Sequence, residues 1–397
     1  MQYRVSRLKA ANQTPKMSEL RACVSLSSRC IPLEPTAALP SLTRGIMRLK
    51  DVTTDELTML GRELGLTPRH ARQLQAMAVK RRLSELPPEV NGISQRLWRS
   101  VLETARMPHL TLLDKAVSPT DGFAKYLFKG DGPEPFEAVR IPLLHRPGDE
   151  KFIVCVSSQV GCVAKCAFCA TGRLGMRRNL AAWEIVDQVL KIQDDSEHPV
   201  RGVVFMGMGE PFLNYARVMR AASILSDPSA AAIDAKAITI STVGIAPMIR
   251  RYTREKRPYR LIVSLHAATR ALRDELVPMN QMHDIEAVLA ALREYQEATG
   301  GKRVTLAWTM MAGVNMHREE VLELARLTRG MRILLDLIPV NDATGRFRPP
   351  DDTETNTFLD LLRSDLGCPV VRRYSGGKDV HGACGMLAGQ SSSLSAT

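Results

Sequence analysis

The feature that most constrains the fold is a regular alternation of strand-like and helical segments between residues 152 and 366. Short runs rich in Val, Ile and Phe each precede a segment with helical periodicity. This alternation is typical of parallel sheets, because a helix must carry the chain back before the next parallel strand can begin. The predicted strands are residues 152–156, 202–206, 237–241, 260–265, 304–310 and 333–338, and the predicted helices are 180–193, 215–225, 247–252, 285–298, 318–329 and 353–366.

Six strand–helix units predict an α/β fold, which we interpret as a partial (β/α)6 barrel. Strands such as L-I-V-S-L favour burial on both faces. In barrels of this kind, ligands bind where the strands end. Each polar residue found there is, taken alone, also typical of a turn or a helix cap. Their convergence at one rim favours a cofactor pocket, for which the candidates are Gly209, Glu210, Ser241, Ser264, Leu265, His266 and Asn315.

Composition divides the rest of the chain. Residues 1–46 are rich in Ser, Pro, Thr and Arg and are predicted to be a flexible basic extension, unless Met47 lies nearer the true start. Residues 47–108 have helical periodicity and predict a small N-terminal helical domain, whose basic second helix (70–83) is either an RNA contact or an ordinary solvated face. The remaining predicted segments are a short antiparallel β segment (109–150), the core (151–375), and a C-terminal loop and tail (376–397).

Charge and hydropathy limit the partners. The formal net charge of +12 and the pI near 9.5 favour a polyanion such as nucleic acid. Residues 1–50 contain nine Lys/Arg and two Asp/Glu, so much of this charge lies near the N-terminus. No run approaches the ~18 apolar residues that a membrane span needs, and no secretory signal is evident. We therefore expect no membrane partner and a cytoplasmic protein, whose cysteines serve metal binding or catalysis rather than a disulfide framework.

Three cysteines form a compact array. Cys162, Cys166 and Cys169 are spaced C-x3-C-x2-C, which brings three thiolates into one small volume. A fourth thiolate would close a structural site, whereas three leave one iron of a [4Fe–4S] cluster open to a substrate. The alternative is a zinc site completed by His266 or Cys368. We favour the cluster because this spacing differs from the paired C-x2-C of zinc ribbons.

The array resembles the signature of radical S-adenosylmethionine (SAM) enzymes, and further motifs narrow the resemblance. In chain order, these motifs are C-V-S-S-Q-V-G-C-V-A-K-C-A-F-C-A-T-G, R-N-L, M-G-M-G-E-P, I-S-T-V-G, S-L-H and D-V-H-G-A-C-G-M-L-A-G. With them, the chain from about residue 50 to 390 is similar to the RlmN/Cfr family of radical SAM RNA methyltransferases. The resemblance implies a [4Fe–4S] cluster and SAM as cofactors, and an electron donor such as flavodoxin or ferredoxin. It also implies methylation of carbon-2 or carbon-8 of an adenosine in 23S ribosomal RNA, and some members act on transfer RNA.

The resemblance also assigns roles to three residues outside the array. Cys384 matches the cysteine that is first methylated by one SAM and then joined, through the methyl carbon, to the base. Cys155 matches the cysteine that forms a disulfide with Cys384 and releases the methylated base. Glu137 matches the family's proton acceptor. On residue chemistry alone, Cys384 is equally a small buried apolar residue.

The chain departs from the family pattern at several positions. We expect these departures to affect which RNA is methylated rather than the chemistry of methylation. Gly376-Gly377-Lys378 stands where the family has Arg-Gly, and Val340-Asn341-Asp342 stands where it has W-N-P. Two alternative functions stay open at this point. One is a radical SAM enzyme acting on a small molecule or peptide, and the other is a non-enzymatic RNA-binding protein with a structural metal site.

Overall fold

The computed structural model describes residues 46–144, 147–342 and 344–389. The predicted extension, residues 1–46, therefore lies outside the described residues except for Ile46. The part of the chain that follows is mostly helical, and its first helix begins with a capping box: Glu56 N donates to Thr53 Oγ1 (3.2 Å) and Thr53 N donates to Glu56 Oε2 (2.8 Å). The elements here are β1 (Met47–Arg48), α1 (Thr54–Gly61), α2 (Pro68–Gln75), α3 (Gln95–Thr104) and β2 (Ala105–Arg106).

The second helix differs from its predicted bounds of 70–83. It begins at Pro68, because Thr67 is the cap and proline is well tolerated at the first helical position. Its α-helical hydrogen bonding ends at Gln75 and a π turn continues from Ala76 to Lys80. The helical region is tied to the core by a buried ion pair, Lys50 Nζ to Asp187 Oδ1 at 2.6 Å.

Three antiparallel strands follow and pair in sequence order, as their alternating pattern predicted. Each is joined to the next by a short connection, and the third pairs antiparallel with the first strand of the core. They therefore extend the core sheet instead of forming a separate one. They are β3 (Thr111–Val117), β4 (Ala124–Lys129) and β5 (Phe136–Leu143).

The β/α alternation of the core is confirmed. Its strands are parallel, and a small hairpin is inserted after the first strand. A helix that the periodicity did not predict, residues 270–276, follows the fourth parallel strand. The elements are β6 (Lys151–Cys155), β7 (Gln159–Gly161), α4 (Ala170–Arg173), β8 (Met176–Asn179), α5 (Ala182–Asp194), β9 (Val200–Phe205), α6 (Tyr215–Ser226), β10 (Ile238–Thr242), α7 (Ala246–Arg254), β11 (Arg260–Ser264), α8 (Arg270–Leu276), α9 (Ile285–Ala298), β12 (Val304–Met310), α10 (Arg318–Leu327), β13 (Ile333–Pro339), α11 (Asp352–Leu361) and β14 (Val370–Arg372).

Ten of the described strands form one mixed sheet, in the order β14-β13-β12-β11-β10-β9-β6-β5-β4-β3, and the pairs β1-β2 and β7-β8 are separate. The ends of this order are β14 and β3, so the sheet is open, as a partial barrel requires. The α/β prediction is confirmed, with one addition: β14 is a seventh parallel strand, too short to be distinguished by its sequence pattern. All parallel strands end at one edge, and the loop after β6 starts there.

No helix within the described ranges is long and apolar enough to cross a lipid bilayer.

Candidate active site

The cysteine array occupies a loop at the carboxyl edge of the parallel strands. The hairpin of β7 and β8 frames it, and Cys162 N donates to Gly175 O across the hairpin at 3.1 Å. Gly161 has a φ of +74°, and a Cβ there would lie 1.7 Å from Gly175 O. Only glycine therefore permits the approach of the two hairpin strands that positions the loop.

The three thiols of the array influence one another. Cys162 and Cys166 are buried and Cys169 is half-buried. Burial raises the pKa of Cys162 to about 12, and the charges of Glu210 and Cys169 add to the rise. Burial also raises the pKa of Cys166 well above its ordinary value, and the other two thiols raise it further. Buried thiols whose charged forms are destabilised are suited to a cationic metal centre, which would stabilise the thiolates.

The described part of the chain contains no group of three or more His, Cys, Asp or Glu side chains that could hold a single metal ion. The loop is closely backed by protein, since a Cβ at Gly172 would lie 3.0 Å from Cys166 N. Three free cysteine thiols in one loop are the donor set that an iron–sulfur cluster with one open iron uses.

Beside the loop lie Gly209 and Glu210, which follow β9 and which the sequence placed in the cofactor pocket. Gly209 has a φ of +107°, and a Cβ there would lie 2.6 Å from Gln159 Cβ. The Glu210 carboxylate accepts the N–H groups of Phe212 (2.9 Å) and Val243 (2.8 Å), and burial raises its pKa to about 7. Glu210 thus joins the ends of β9 and β10.

The structure also brings together the serines predicted at the ends of β10 and β11. Ser241 Oγ and Ser264 Oγ are 3.1 Å apart and share one hydrogen bond. Each hydroxyl keeps further hydrogen-bonding capacity for a ligand. The backbone of Leu265, the next residue, pairs with β12 through a 2.9 Å bond from Leu265 N to Ala307 O, and its side chain is buried.

His266 and Asn315 form a buried unit rather than two independent side chains. His266 has a φ of +64°, and its Nδ1 accepts the N–H of Thr309 at 3.0 Å. Burial lowers the pKa of His266 to about 3, so the ring is neutral and its proton lies on Nε2. Asn315 donates to His266 O and Thr309 O, both at 2.7 Å, and accepts from Met311 N at 2.8 Å. Asn315 therefore holds the unusual backbone of His266 in place.

The sequence did not indicate Arg273, which is fully buried behind this rim. Its guanidinium donates to Val243 O (2.7 Å), Leu265 O (3.2 Å) and the Asn280 amide. Burial lowers its pKa to about 10, which leaves it charged at neutral pH. Nothing in the local sequence distinguishes this arginine from those on exposed helix faces. Its partners lie on two different strand ends, so only the tertiary structure identifies it.

A cavity of ≈ 80 Å³ lies beside the cysteine loop. Cys155, Cys169 and Cys384 all line it. Cys155 is the last residue of β6, at the point where the sheet changes from antiparallel pairing with β5 to parallel pairing with β9. Both Cys155 and Cys384 are free thiols. The structure thus places the two cysteines that the resemblance couples in one cavity with a cysteine of the array.

The loop that carries Cys384 is fastened to the cysteine loop. Ala170 N donates to Gly385 O at 2.8 Å, and Thr171 Oγ1 donates to Leu387 O at 2.7 Å. These bonds cross more than 200 residues of sequence, so they fix the position of Cys384 relative to the array.

An arginine and an aspartate beside the cavity were also not predicted. Arg373 lines the cavity and pairs with Asp336, and its Nη1 lies 3.0 Å from Met206 Sδ. Desolvation raises the pKa of Cys155 to about 12 and also raises the pKa of Cys384, which lines the same cavity. The charge of Arg373 opposes both shifts and favours the thiolates.

Glu137 lies on β5, two residues from Val139, which lines the cavity. Its carboxylate is buried and engaged on both oxygens. Oε1 lies 2.9 Å from Lys125 Nζ, and Oε2 accepts the N–H groups of Ala388 (2.7 Å) and Gly389 (2.8 Å). Glu137 therefore fastens the far end of the segment that carries Cys384.

Comparisons with known proteins agree with this geometry. The model of the Radical SAM superfamily matches residues 156–325. A probable RNA methyltransferase of Myxococcus xanthus is 42% identical over 86% of this chain and 94% of its own length. A probable dual-specificity RNA methyltransferase RlmN of Moorella thermoacetica is 38% identical over 85% of this chain and 96% of its own length. A crystal structure of a radical SAM methyltransferase from Sphaerobacter thermophilus, 34% identical, superposes with a TM-score of 0.76 over 87% of this chain and all of that chain.

The matches to the Radical SAM superfamily and to the Sphaerobacter thermophilus structure, together with the fold and the cysteine loop, show a radical SAM methyltransferase. Within that class, the identity to relatives over most of their length shows that the chain belongs to the RlmN/Cfr family of radical SAM RNA methyltransferases. The family predicted from the motifs is thus confirmed, and a non-enzymatic role is not supported.

Proposed function

We propose that the protein methylates carbon-2 or carbon-8 of an adenosine in RNA, with 23S ribosomal RNA as the first candidate and transfer RNA as the second, through a methyl group carried on Cys384. The observation that carries the proposal is the cavity that Cys155, Cys384 and Cys169 share. RNA as the substrate is supported by the printed names of the relatives, which are RNA methyltransferases.

Cys162, Cys166 and Cys169 would hold the [4Fe–4S] cluster. When bound, such a cluster supplies the electron that cleaves SAM, and a flavodoxin or ferredoxin would deliver that electron.

The proposed SAM contacts are Gly209, Glu210, Ser241, Ser264, Leu265, His266 and Asn315. The two serine hydroxyls offer direct hydrogen bonds, whereas Asn315 acts through the backbone of His266 because its own amide is already satisfied.

Two thiols react in turn during methylation of the adenine base. The Cys384 thiolate accepts the methyl group of one SAM, which leaves as S-adenosylhomocysteine. The radical that a second SAM would supply removes one hydrogen atom from this methyl group, and the carbon can then add to the adenine ring. The ring regains its aromaticity by losing one proton and one electron, and the electron would return to the bound cluster. The Cys155 thiolate then attacks the sulfur of Cys384. An S–S bond forms and the S–C bond breaks, and the electron pair left on the carbon takes a proton to give the methyl group. A dithiol reductant restores both thiols.

Glu137 is the proposed acceptor of the proton that the ring carbon loses. In the structure both of its oxygens are engaged, so this role requires the amides of Ala388 and Gly389 to release one oxygen. Arg373 would help keep Cys155 and Cys384 ionised.

Mass spectrometry of ribosomal and transfer RNA from cells with and without the gene tests the function. We expect one methyladenosine, resolved as the 2-methyl or 8-methyl isomer, to be lost with the gene. Unchanged RNA in both fractions would contradict the proposal and favour a small-molecule or peptide substrate.

The thiol roles have their own test, because the two cysteines act at different steps. Cys155→Ala should accumulate RNA bonded to Cys384, visible as a nuclease-sensitive shift on a denaturing gel. The shift should vanish in Cys155→Ala/Cys384→Ala. Cys368→Ala is a matched control, since Cys368 is half-buried and lies outside the cavity. Unshifted Cys155→Ala protein that methylates RNA fully would show that Cys155 has no catalytic role.

A further inference from the structure

Tyr374 combines exposure with a fixed orientation. Its side chain follows β14 and is 70% exposed. The hydroxyl nevertheless donates to Asp121 Oδ2 at 2.9 Å, and the ring contacts Phe123 edge-to-face with centroids 6.1 Å apart. An aromatic ring held at both ends loses little conformational entropy when a second ring packs against it.

The absence of a side chain at Gly376 makes this arrangement possible. A Cβ at Gly376 would lie 2.4 Å from the Phe123 ring and 2.5 Å from Asp121 Oδ2. Only glycine lets the 374–377 segment lie against the turn that contains Asp121 and Phe123. Asp121 Oδ2 also accepts the N–H of Gly377 at 2.9 Å, so the same contact fixes both the segment and the tyrosine.

Tyr374 separates two cavities of different size. On one side is the ≈ 80 Å³ cavity of Cys155 and Cys384, and on the other is an open groove of ≈ 560 Å³. Arg373, Tyr374 and Ser375 line both. The larger groove falls within the range of about 300–1,000 Å³ that is usual for small-molecule sites, whereas the smaller cavity does not. A ligand in the groove would therefore sit directly beside the reacting thiols.

The lining of the groove fits a nucleotide better than a simple anion. Arg372 and Lys378 supply positive charge for a phosphate, whereas Asp352 and Asp379 supply acceptors for the amino groups of a base. These carboxylates would disfavour a free phosphate. The exposed ring supplies the stacking surface on which single-stranded RNA is commonly held.

We propose that Tyr374 is a stacking platform for an unpaired base of the RNA that neighbours the base to be methylated. The inference rests on the proposed function, because it takes RNA as the substrate. It adds a specificity subsite formed by Tyr374, Arg372 and Lys378 that the cysteine chemistry does not require.

A tryptophan in place of Tyr374 provides a direct readout. The three native tryptophans, Trp98, Trp183 and Trp308, are at most 2% exposed, so a Tyr374→Trp side chain would be the solvent-facing fluorophore. We expect a mixed-sequence single-stranded RNA 12-mer to quench its emission by stacking, and heparin, a polyanion without bases, to leave it unchanged. Leu113→Trp is the matched control, since Leu113 is 49% exposed on β3 outside the groove, and it should not be quenched.

Affinity for the same RNA at fixed salt gives the second readout. Removal of a base-stacking aromatic typically costs 1–3 kcal/mol, so Tyr374→Ala should weaken binding about 5- to 150-fold. Tyr374→Phe, which keeps the ring and loses the bond to Asp121, should stay within about threefold of the wild type. Melting temperatures show whether each variant folds.

The outcomes separate this inference from the proposed function. If the wild type binds RNA and Tyr374→Ala binds equally well with no quenching of Tyr374→Trp, the stacking platform is wrong and the methyltransferase proposal stands. If the wild type binds neither the 12-mer nor cellular RNA, the proposed function itself fails. Equal quenching of Tyr374→Trp and Leu113→Trp would also overturn the inference, because the quenching would then not report this groove.

Discussion

Replacing Glu137 with glutamine should release the segment that carries Cys384. The Glu137 side chain is 1% exposed, and its carboxylate bonds two backbone amides, of Ala388 and Gly389, and the ammonium of Lys125. Glutamine has nearly the same shape but no charge. The substitution therefore tests how much the charge of Glu137 contributes to holding the segment, without creating a cavity.

The expected magnitude follows from these contacts. Hydrogen bonds to a charged acceptor contribute about 1.5–3 kcal/mol and neutral ones about 0.5–1.5 kcal/mol, so two weakened amide bonds amount to about 2–3 kcal/mol. That change makes local opening of the segment about 30- to 150-fold more frequent. Because Lys125 is only 5% exposed and its ion pair with Glu137 is lost, global stability should fall by up to about 3–5 kcal/mol.

Hydrogen exchange of the C-terminal peptide and urea unfolding measure the two effects separately. We expect the amides of Ala388 and Gly389 to exchange faster, and the Cys384 thiol to be alkylated faster. Lys125→Met/Glu137→Gln should recover part of the global stability, since both charges of the buried ion pair are then removed, while the amides stay unprotected. Glu294→Gln, which breaks an exposed ion pair with Arg250, should change stability by less than about 0.5 kcal/mol.

The reasoning would be refuted by Glu137→Gln protein whose C-terminal amides keep their protection within threefold and whose stability changes by less than about 1 kcal/mol. The carboxylate would then not fasten the segment, and only the proton-acceptor role would remain for it.

Three further predictions concern other parts of the structure. Burial raises the pKa of Cys155 to about 12, so its alkylation by iodoacetamide should accelerate about tenfold per pH unit from pH 7 to pH 10, and a plateau below pH 9 would contradict this. Lys50→Met leaves Asp187 buried without its counterion, so the free energy of unfolding measured in urea should fall by about 3–5 kcal/mol. A decrease below 1 kcal/mol would show that water reaches the Asp187 carboxylate. Asn315→Ala removes the side-chain hydrogen bonds of three buried backbone groups around His266, so the free energy of unfolding should fall by about 3 kcal/mol. Calorimetry should also show weaker SAM binding, and unchanged binding would show that Asn315 does not support the SAM pocket.

The parts of this protein that the sequence determined are those with a short-range signal. Three cysteines within eight residues share one loop whatever the rest of the chain does, so their spacing alone predicted the cluster ligands. The β/α alternation is also a local pattern, because each strand and helix shows its own periodicity. Alternation then predicts a parallel sheet, and a parallel sheet places all strand ends at one edge. This is why Glu210, Ser241 and Ser264 could be grouped before any coordinates were known.

Only the tertiary structure decided which polar groups already have hydrogen-bond partners within the protein and which side chains line the cavity of Cys155 and Cys384. Asn315 has the residue type and position of a pocket ligand, yet its amide is satisfied by backbone groups of residues that lie 4–49 positions away. Glu137 is bonded to amides 251 and 252 positions later. Arg373 pairs with Asp336 and lines the same cavity as Cys155 of β6 and Cys384 of the C-terminal loop. Such contacts depend on how the sheet orders its strands and where the C-terminal segment crosses it. Local propensity contains no information about that order, because each contact forms only after loops of many residues have closed.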